Sequence, residues 1–273
     1  MLSNAESAML AEKAKEIRKL SLRMFKEIGK GHVGGAMSIA DLLSVLYFKE
    51  LNINPEDPKW AERDRVVLSK GHAGPALYAA LALRGYFPEE MCLTLNQPGT
   101  MLPSHCDMKR TPGIDMTAGS LAQGFSASIG LALAGKLDAK DYYIYSIIGD
   151  GESQEGQIWE AAMLAGNRKL TNLIAFCDNN KMQIDGTTND VNSIEPIADK
   201  WAAFKWNVIN CDGHDVNAIA EAIAAAKTCK DKPSMIILDT VKGKGLPFAE
   251  GLVSSHSMNV GADELEAGLA ALN

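Results

Sequence analysis

Apolar positions along the chain fall into two rhythms. Leu10, Ala14, Ile17, Leu20, Met24 and Ile28 recur at three- and four-residue spacing, which predicts an amphipathic helix over 5–28 with its charges on the remaining faces. A Gly/His segment occupies 29–35, and Ser38 is placed to cap a second helix reaching about Glu50. Five short apolar runs follow, at 65–69, 142–148, 172–177, 206–211 and 234–240. Between them the sequence predicts helices over 74–83 (stopped by Gly85), over 120–136, over 154–168, and one opened by Asp215. Continuous apolar strands alternating with helices imply an α/β fold, a three-layer parallel sheet with helices on both faces. In such sheets ligands bind beyond the carboxyl ends of the strands. Gly149-Asp150-Gly151, Asp178-Asn179-Asn180, Cys211-Asp212-Gly213 and Lys242-Gly243-Lys244-Gly245 all fall there. Residues 96–118, rich in Pro, Gly, Ser and Thr, are expected to be irregular, and long irregular stretches in compact domains are usually functional.

Composition narrows the partners. With 273 residues, 47% hydrophobic and 22% charged, the chain has the make-up of a soluble globular protein. Its net charge of −7 argues against nucleic acid or a membrane surface as the main partner. An anionic ligand must then be held by local dipoles, a metal and a few donors. The five cysteines are odd in number and show no CxxC pair, which suits free thiols in a reducing, cytoplasmic setting. The first 28 residues mix Glu, Lys and Arg through their apolar positions, so no signal peptide is expected, and no apolar run approaches a membrane span.

At the strand ends, Gly149-Asp150-Gly151 sets a carboxylate between two residues with no side chain to obstruct a phosphate. Asn180, at the next strand end, offers a neutral amide oxygen. Mg²⁺ takes about six oxygens, commonly one or two protein carboxylates with phosphate oxygens and water. Asp150, Asn180 and a nearby backbone carbonyl supply the protein's share of such a shell. Lys242 and Lys244 read as members of a solvated loop, and His214, after Asp212-Gly213, as structural.

The span from Gly149-Asp150-Gly151 to Asn179-Asn180 resembles the thiamine-diphosphate motif, which begins GDG and ends in asparagine about thirty residues on. Gly31-His32-Val33-Gly34-Gly35, Leu68-Ser69-Lys70-Gly71-His72-Ala73, Pro112-Gly113-Ile114-Asp115 and Gly119-Ser120-Leu121-Ala122-Gln123-Gly124 follow the same order as in the diphosphate-binding domain of transketolases. The resemblance implies a thiamine diphosphate cofactor with Mg²⁺ (or Ca²⁺ or Mn²⁺). It assigns the metal to Asp150, Asn180 and the backbone oxygen of Met182. His72, Gly149, Gly151 and His256 are implied at the diphosphate, Gly119 and Leu121 near the pyrimidine, and Ile184 against the thiazolium. His32, His105 and His256 are implied as the catalytic partners of the donor ketose's oxygens. Glu155 matches a carboxylate that lies between two active sites of a dimer, though it could instead complement its own helix N-terminus. Cys106 stands where the family often has proline, Ala122 where it often has glycine, and Gly251 to Asn259 departs from the family's usual wording.

The implied reaction is reversible transfer of a two-carbon ketol unit between sugar phosphates, as in the pentose phosphate pathway, with the cofactor as electron sink. In the family, a glutamate of a separate pyrimidine-binding domain activates the cofactor. Residues 1–273 are expected to form the diphosphate-binding domain alone, the Gly261–Asn273 tail being its natural end. The pyrimidine-binding and C-terminal domains are expected on a partner chain, in a dimer of heterodimers. Three alternatives stay open: another thiamine-diphosphate enzyme, such as a 2-oxo acid dehydrogenase E1α or a deoxyxylulose-phosphate-synthase relative; a transketolase devoted to an unusual sugar phosphate; and a non-catalytic subunit that keeps the fold.

Overall fold

Helix α1 runs over Asn4–Ile28, opened by a capping box in which Ser3 and Glu6 satisfy each other's backbone amides, and closed by Gly29 at φ +74°. The computed structural model describes all 273 residues. After α1 come β1 (Lys30–Gly31), α2 (Val33–Met37), α3 (Ala40–Val45, continued by a wide turn to Glu50), β2 (Arg65–Leu68) and α4 (Gly74–Arg84). Then follow α5 (Gln123–Leu137), β3 (Ile144–Gly149), α6 (Gly156–Arg168), β4 (Leu173–Asn179), and the short α7 (Thr188–Asn192) and α8 (Ile197–Ala203). The chain continues through β5 (Asn207–Asp212), α9 (Val216–Thr228), β6 (Ser234–Asp239), β7 (Met258–Asn259) and α10 (Ala262–Ala271). No helix is long and apolar enough to cross a membrane.

The five predicted strands form one parallel sheet in the order β2-β3-β4-β6-β5, and β1 pairs with β7 antiparallel as a separate ribbon. Because alternate strand residues face opposite ways, the sheet divides two cores. Tyr145, Ile147, Ile174, Phe176, Ile236 and Leu238 face a core shared with α1, α3, α4 and α9. Ile144, Ile148, Leu173, Ala175, Met235 and Ile237 face a smaller core with α5, α6 and Trp201 of α8. Both faces are covered, which is the three-layer arrangement expected from the apolar runs.

Three local expectations change. Ser38 opens no helix: it closes the one that starts at Val33, the next starts at Ala40 behind Ile39, and its hydroxyl donates instead to Asp178 Oδ2 at 2.6 Å. Residues 262–271, for which the sequence suggests no element, form a helix, with Gly268 packed against Leu22 and Leu246. Ala122 is more than one extra methyl group, since it holds φ +69°, a left-handed conformation that disfavours any side chain.

Candidate functional site

The floor of the site is built where β3 and β4 end. Asp150 is buried, its Oδ1 accepting the Gly151 N–H at 2.7 Å and its Oδ2 the Lys181 N–H at 2.5 Å. Each oxygen keeps a lone pair for another partner. Asn180 donates from Nδ2 to Asp178 Oδ2 at 2.9 Å, and its Oδ1 accepts from the Met182 N–H at 3.1 Å. The bond to Asp178 fixes the amide so that oxygen, not nitrogen, faces away from the buried carboxylate.

Asp178 is the hub of this floor. Fully buried, it takes Ser38 Oγ, Lys70 Nζ (2.5 Å) and Asn180 Nδ2 on Oδ2, and Thr240 Oγ1 (2.5 Å) on Oδ1. Burial alone would raise its carboxyl above the ordinary value, but the Lys70 ammonium and the hydroxyl donors outweigh that and hold it below. Lys70 also donates to Gly35 O at 2.8 Å. Asp150 has no such ammonium at contact, and burial, with the nearby Asp178 charge, pushes it up to about 7. Glu152 braces the opposite side, accepting from Ser69 Oγ and from the Ala122 and Gly149 amides. Its bond to the Ala122 N–H holds that residue in its left-handed turn.

One wall is a cluster of imidazoles. His32 lies 5.3 Å from His72, 5.9 Å from His105 and 5.5 Å from His256 between ring centroids, and His72 lies 5.2 Å from His256. Burial lowers all four below the ordinary imidazole value, most strongly His72, while burial with the Lys242 charge lowers His256 to about 4. At neutral pH each ring is therefore neutral, with one donor and one acceptor nitrogen. Lys242 corrects the reading from sequence. It is buried, not solvated, and its Nζ reaches His256 Nδ1 at 3.2 Å and Gln183 O at 3.4 Å. Burial lowers its ammonium to about 8. Lys244 does stay half-exposed, paired with Glu250.

These groups open on a cavity of about 410 Å³. It brings together every site residue picked from the sequence: His32, His72, His105, His256, Gly119, Leu121, Gly149, Asp150, Gly151, Glu155, Asn180, Met182 and Ile184. Glu155 sits at the N-cap position of α6, caps no amide with its side chain, and lines the cavity. Lys70, Glu152, Gln183 and Lys242 also line the cavity, and reading the sequence assigns them no role there. His214 is bonded to Asp41 and Val241, outside the cavity.

A metal-bound diphosphate fits this donor set. Asp150 and the Asn180 amide offer hard oxygens to a divalent cation, and Lys242 offers an ammonium to an anion beside it. The glycines keep the room: a Cβ on Gly151 would stand 3.0 Å from Gln183 Cβ, one on Gly35 3.3 Å from His72 Nε2, and Gly119 has open space beside it.

Comparison with known proteins agrees over almost the whole length. Residues 10–272 match the family described as transketolase, thiamine diphosphate binding domain. The chain is 59% identical, over 96% of both chains, to the 6-deoxy-6-sulfo-D-fructose transketolase subunit SqwG of Clostridium sp. (strain MSTE9). It is 39% identical to an apulose-4-phosphate transketolase subunit of Phocaeicola vulgatus, over 88% of this chain and 85% of that one. Among solved structures, the transketolase of Leishmania mexicana superposes with a TM-score of 0.91 at 32% identity, covering 96% of this chain but only 41% of that enzyme. By sequence and by fold, the chain belongs to the transketolase family, as its thiamine diphosphate-binding domain.

Proposed function

We propose that this chain is the diphosphate-binding subunit of a two-chain transketolase, in which residues 1–273 form one domain and a partner chain carries the pyrimidine-binding and C-terminal domains. One observation carries the reading: a single cavity joins the Asp150–Asn180 floor to four neutral imidazoles. The subunit-length relatives support the division between chains, since the chain spans 96% of one such relative but 41% of a full-length transketolase.

In this reading Asp150, Asn180 and the Met182 carbonyl hold Mg²⁺, while His72, the Gly151 amide and Lys242 hold the diphosphate. Gly119 and Leu121 lie beside the pyrimidine, and Ile184 beside the thiazolium. The bound cofactor supplies the electron sink for cleaving the bond next to a ketose carbonyl. His32, His105 and His256 orient the donor's carbonyl and first hydroxyl and pass protons between those oxygens, for which neutral imidazoles are suited. Glu155 meets its counterpart across a dimer of heterodimers. The five unpaired cysteines, three of them buried, support a reducing, cytoplasmic setting.

Purified alone, the chain should lack transketolase activity and gain it on mixing with its partner chain, thiamine diphosphate and Mg²⁺. Robust turnover by the isolated chain would sink the two-chain reading. Asp150→Ala should retain the fold by circular dichroism while losing cofactor affinity by calorimetry. The 59% identity to a sulfofructose transketolase subunit favours a ketose ending in sulfonate as donor. A comparison of kcat/KM for 6-deoxy-6-sulfo-D-fructose and for ketose phosphates decides between the two.

A further inference from the structure

We infer that His214 is a positioning residue: by holding the Val241 amide with Nε2, it fixes Lys242 at the cavity wall. His214 lies in the turn between β5 and α9, with its side chain only 14% exposed. Its Nε2 accepts the Val241 N–H at 2.8 Å. That bond assigns the tautomer, because a nitrogen that accepts carries no proton. The proton therefore sits on Nδ1, which donates to Asp41 Oδ2 at 2.8 Å. Asp41 is itself gripped by both terminal nitrogens of Arg18, whose Nε donates to Met37 O at 3.3 Å. Burial would raise the Asp41 carboxyl, but His214 and Arg18 together hold it below the ordinary value, so it stays a charged acceptor. The line Arg18–Asp41–His214–Val241 thus runs from α1 through α3 to the residue next to Lys242.

The segment after β6 needs such an anchor. Beyond Asp239 the sheet holds Thr240, by a long N–H to Asn179 O contact of 3.4 Å and by its hydroxyl's bond to Asp178 Oδ1, but no backbone bond from the sheet reaches Val241, which is 37% exposed. On the far side of Lys242, the Gly243 N–H donates to Gly34 O at 3.0 Å, and the Gly251 N–H donates to the Lys242 carbonyl at 2.8 Å. The lysine stem passes so close to Gly34 that a Cβ there would stand 2.7 Å from Lys242 Cγ. With residues 241 and 243 both tied, the Lys242 backbone has one orientation, which sends its ammonium to His256 Nδ1 and Gln183 O. The carboxylate–imidazole pair acts here as a brace on a loop, not as an acid or base.

This inference rests on the reading of Lys242 as a cation facing the diphosphate, and the test separates the two. In the wild-type chain the Val241 amide should exchange with deuterium about a hundredfold more slowly than an unstructured amide. Exchange at the unstructured rate overturns the proposal before any variant is made. His214→Leu keeps the volume but offers no acceptor. It should lose that protection, loosen the Gly243 and Gly251 amides, and raise the Kd of the assembled enzyme for thiamine diphosphate with Mg²⁺ about tenfold. His214→Gln, whose side-chain carbonyl can accept from Val241, should stay within about threefold of wild type. If Lys242→Met leaves Kd unchanged, the diphosphate reading of Lys242 fails, whatever the exchange data give. If Lys242→Met weakens binding while His214→Leu alters neither exchange nor Kd, the positioning role fails. Should His214→Leu not melt cooperatively, wild-type exchange and the Gln variant still decide the matter.

Discussion

At the floor of the cavity Asp178 is fully buried and gathers four donors, whereas at its mouth Ile184 is 62% exposed and Gly119 has open space beside it. The floor is organised before any ligand arrives: the Asn180 amide, the Lys70 ammonium and the Asp150 carboxylate are each held by named bonds. The mouth presents an apolar side chain to solvent with no such support. Groups that meet a hard, charged ligand must be fixed in advance, because their reorganisation would be costly at the moment of binding. A surface that is to be covered by an apolar ring or another chain can wait for its partner.

The largest expected effect tests the floor. Asp178→Ala leaves the Lys70 ammonium buried without its partner, so unfolding by urea should show a loss of about 3–5 kcal/mol. A loss of under about 1 kcal/mol would show that the floor is not preorganised by this carboxylate. Next comes pH. A carboxyl raised to about 7 must release its proton before it can hold a cation. The affinity of the assembled enzyme for Mg²⁺ and thiamine diphosphate should therefore fall as pH drops below about 7, by up to about tenfold per unit, and level off between about 7 and 8, above which the Lys242 ammonium, lowered to about 8, begins to lose its proton. Calorimetry across that range in Asp150→Asn, which has no proton to lose, should flatten the profile; an unchanged slope would assign the titration to another group. The smallest effect tests the mouth. Ile184→Ala should alter the stability of the chain by no more than about 0.5 kcal/mol, since the side chain is already mostly in water. It should nevertheless weaken the assembled enzyme's hold on the cofactor. A large loss of stability in the isolated chain would erase the contrast.

The frame of this molecule was legible because its strands are continuous apolar runs that end on polar tripeptides. The strand run 142–148 followed by Gly149-Asp150-Gly151 placed the carboxylate at a strand tip, and the run 172–177 followed by Asp178-Asn179-Asn180 placed the amide beside it. The buried polar network was not legible in the same way. Ser38, Lys70 and Asp178 become interior only because each meets the others across the fold, and no local pattern states that pairing. Lys70 and Asp178 did stand inside the motif segments, one residue before Gly71-His72 and two before Asn180, which was the signal available. Lys242 read as solvated because lysine usually is; its burial depends on Gly34 leaving room for its stem. Ala122 gave no sign of its left-handed backbone beyond standing where glycine is usual.

The sequence distances gathered at Asp178 carry a last consequence. Its partners lie 140, 108, 62 and 2 residues away along the chain. The three long-range contacts can close only when the long loops between them have been ordered, an entropic cost the two-residue contact does not carry. The carboxylate that orients the Asn180 amide therefore has all its donors only when the helix before residue 40, the tip of β2 and the segment after β6 have docked. A fragment or a half-folded chain would present the same residues without that support, and a ligand that selects the completed geometry shifts the folding equilibrium toward it by mass action. In this chain the cofactor site doubles as a gauge of whether folding has finished.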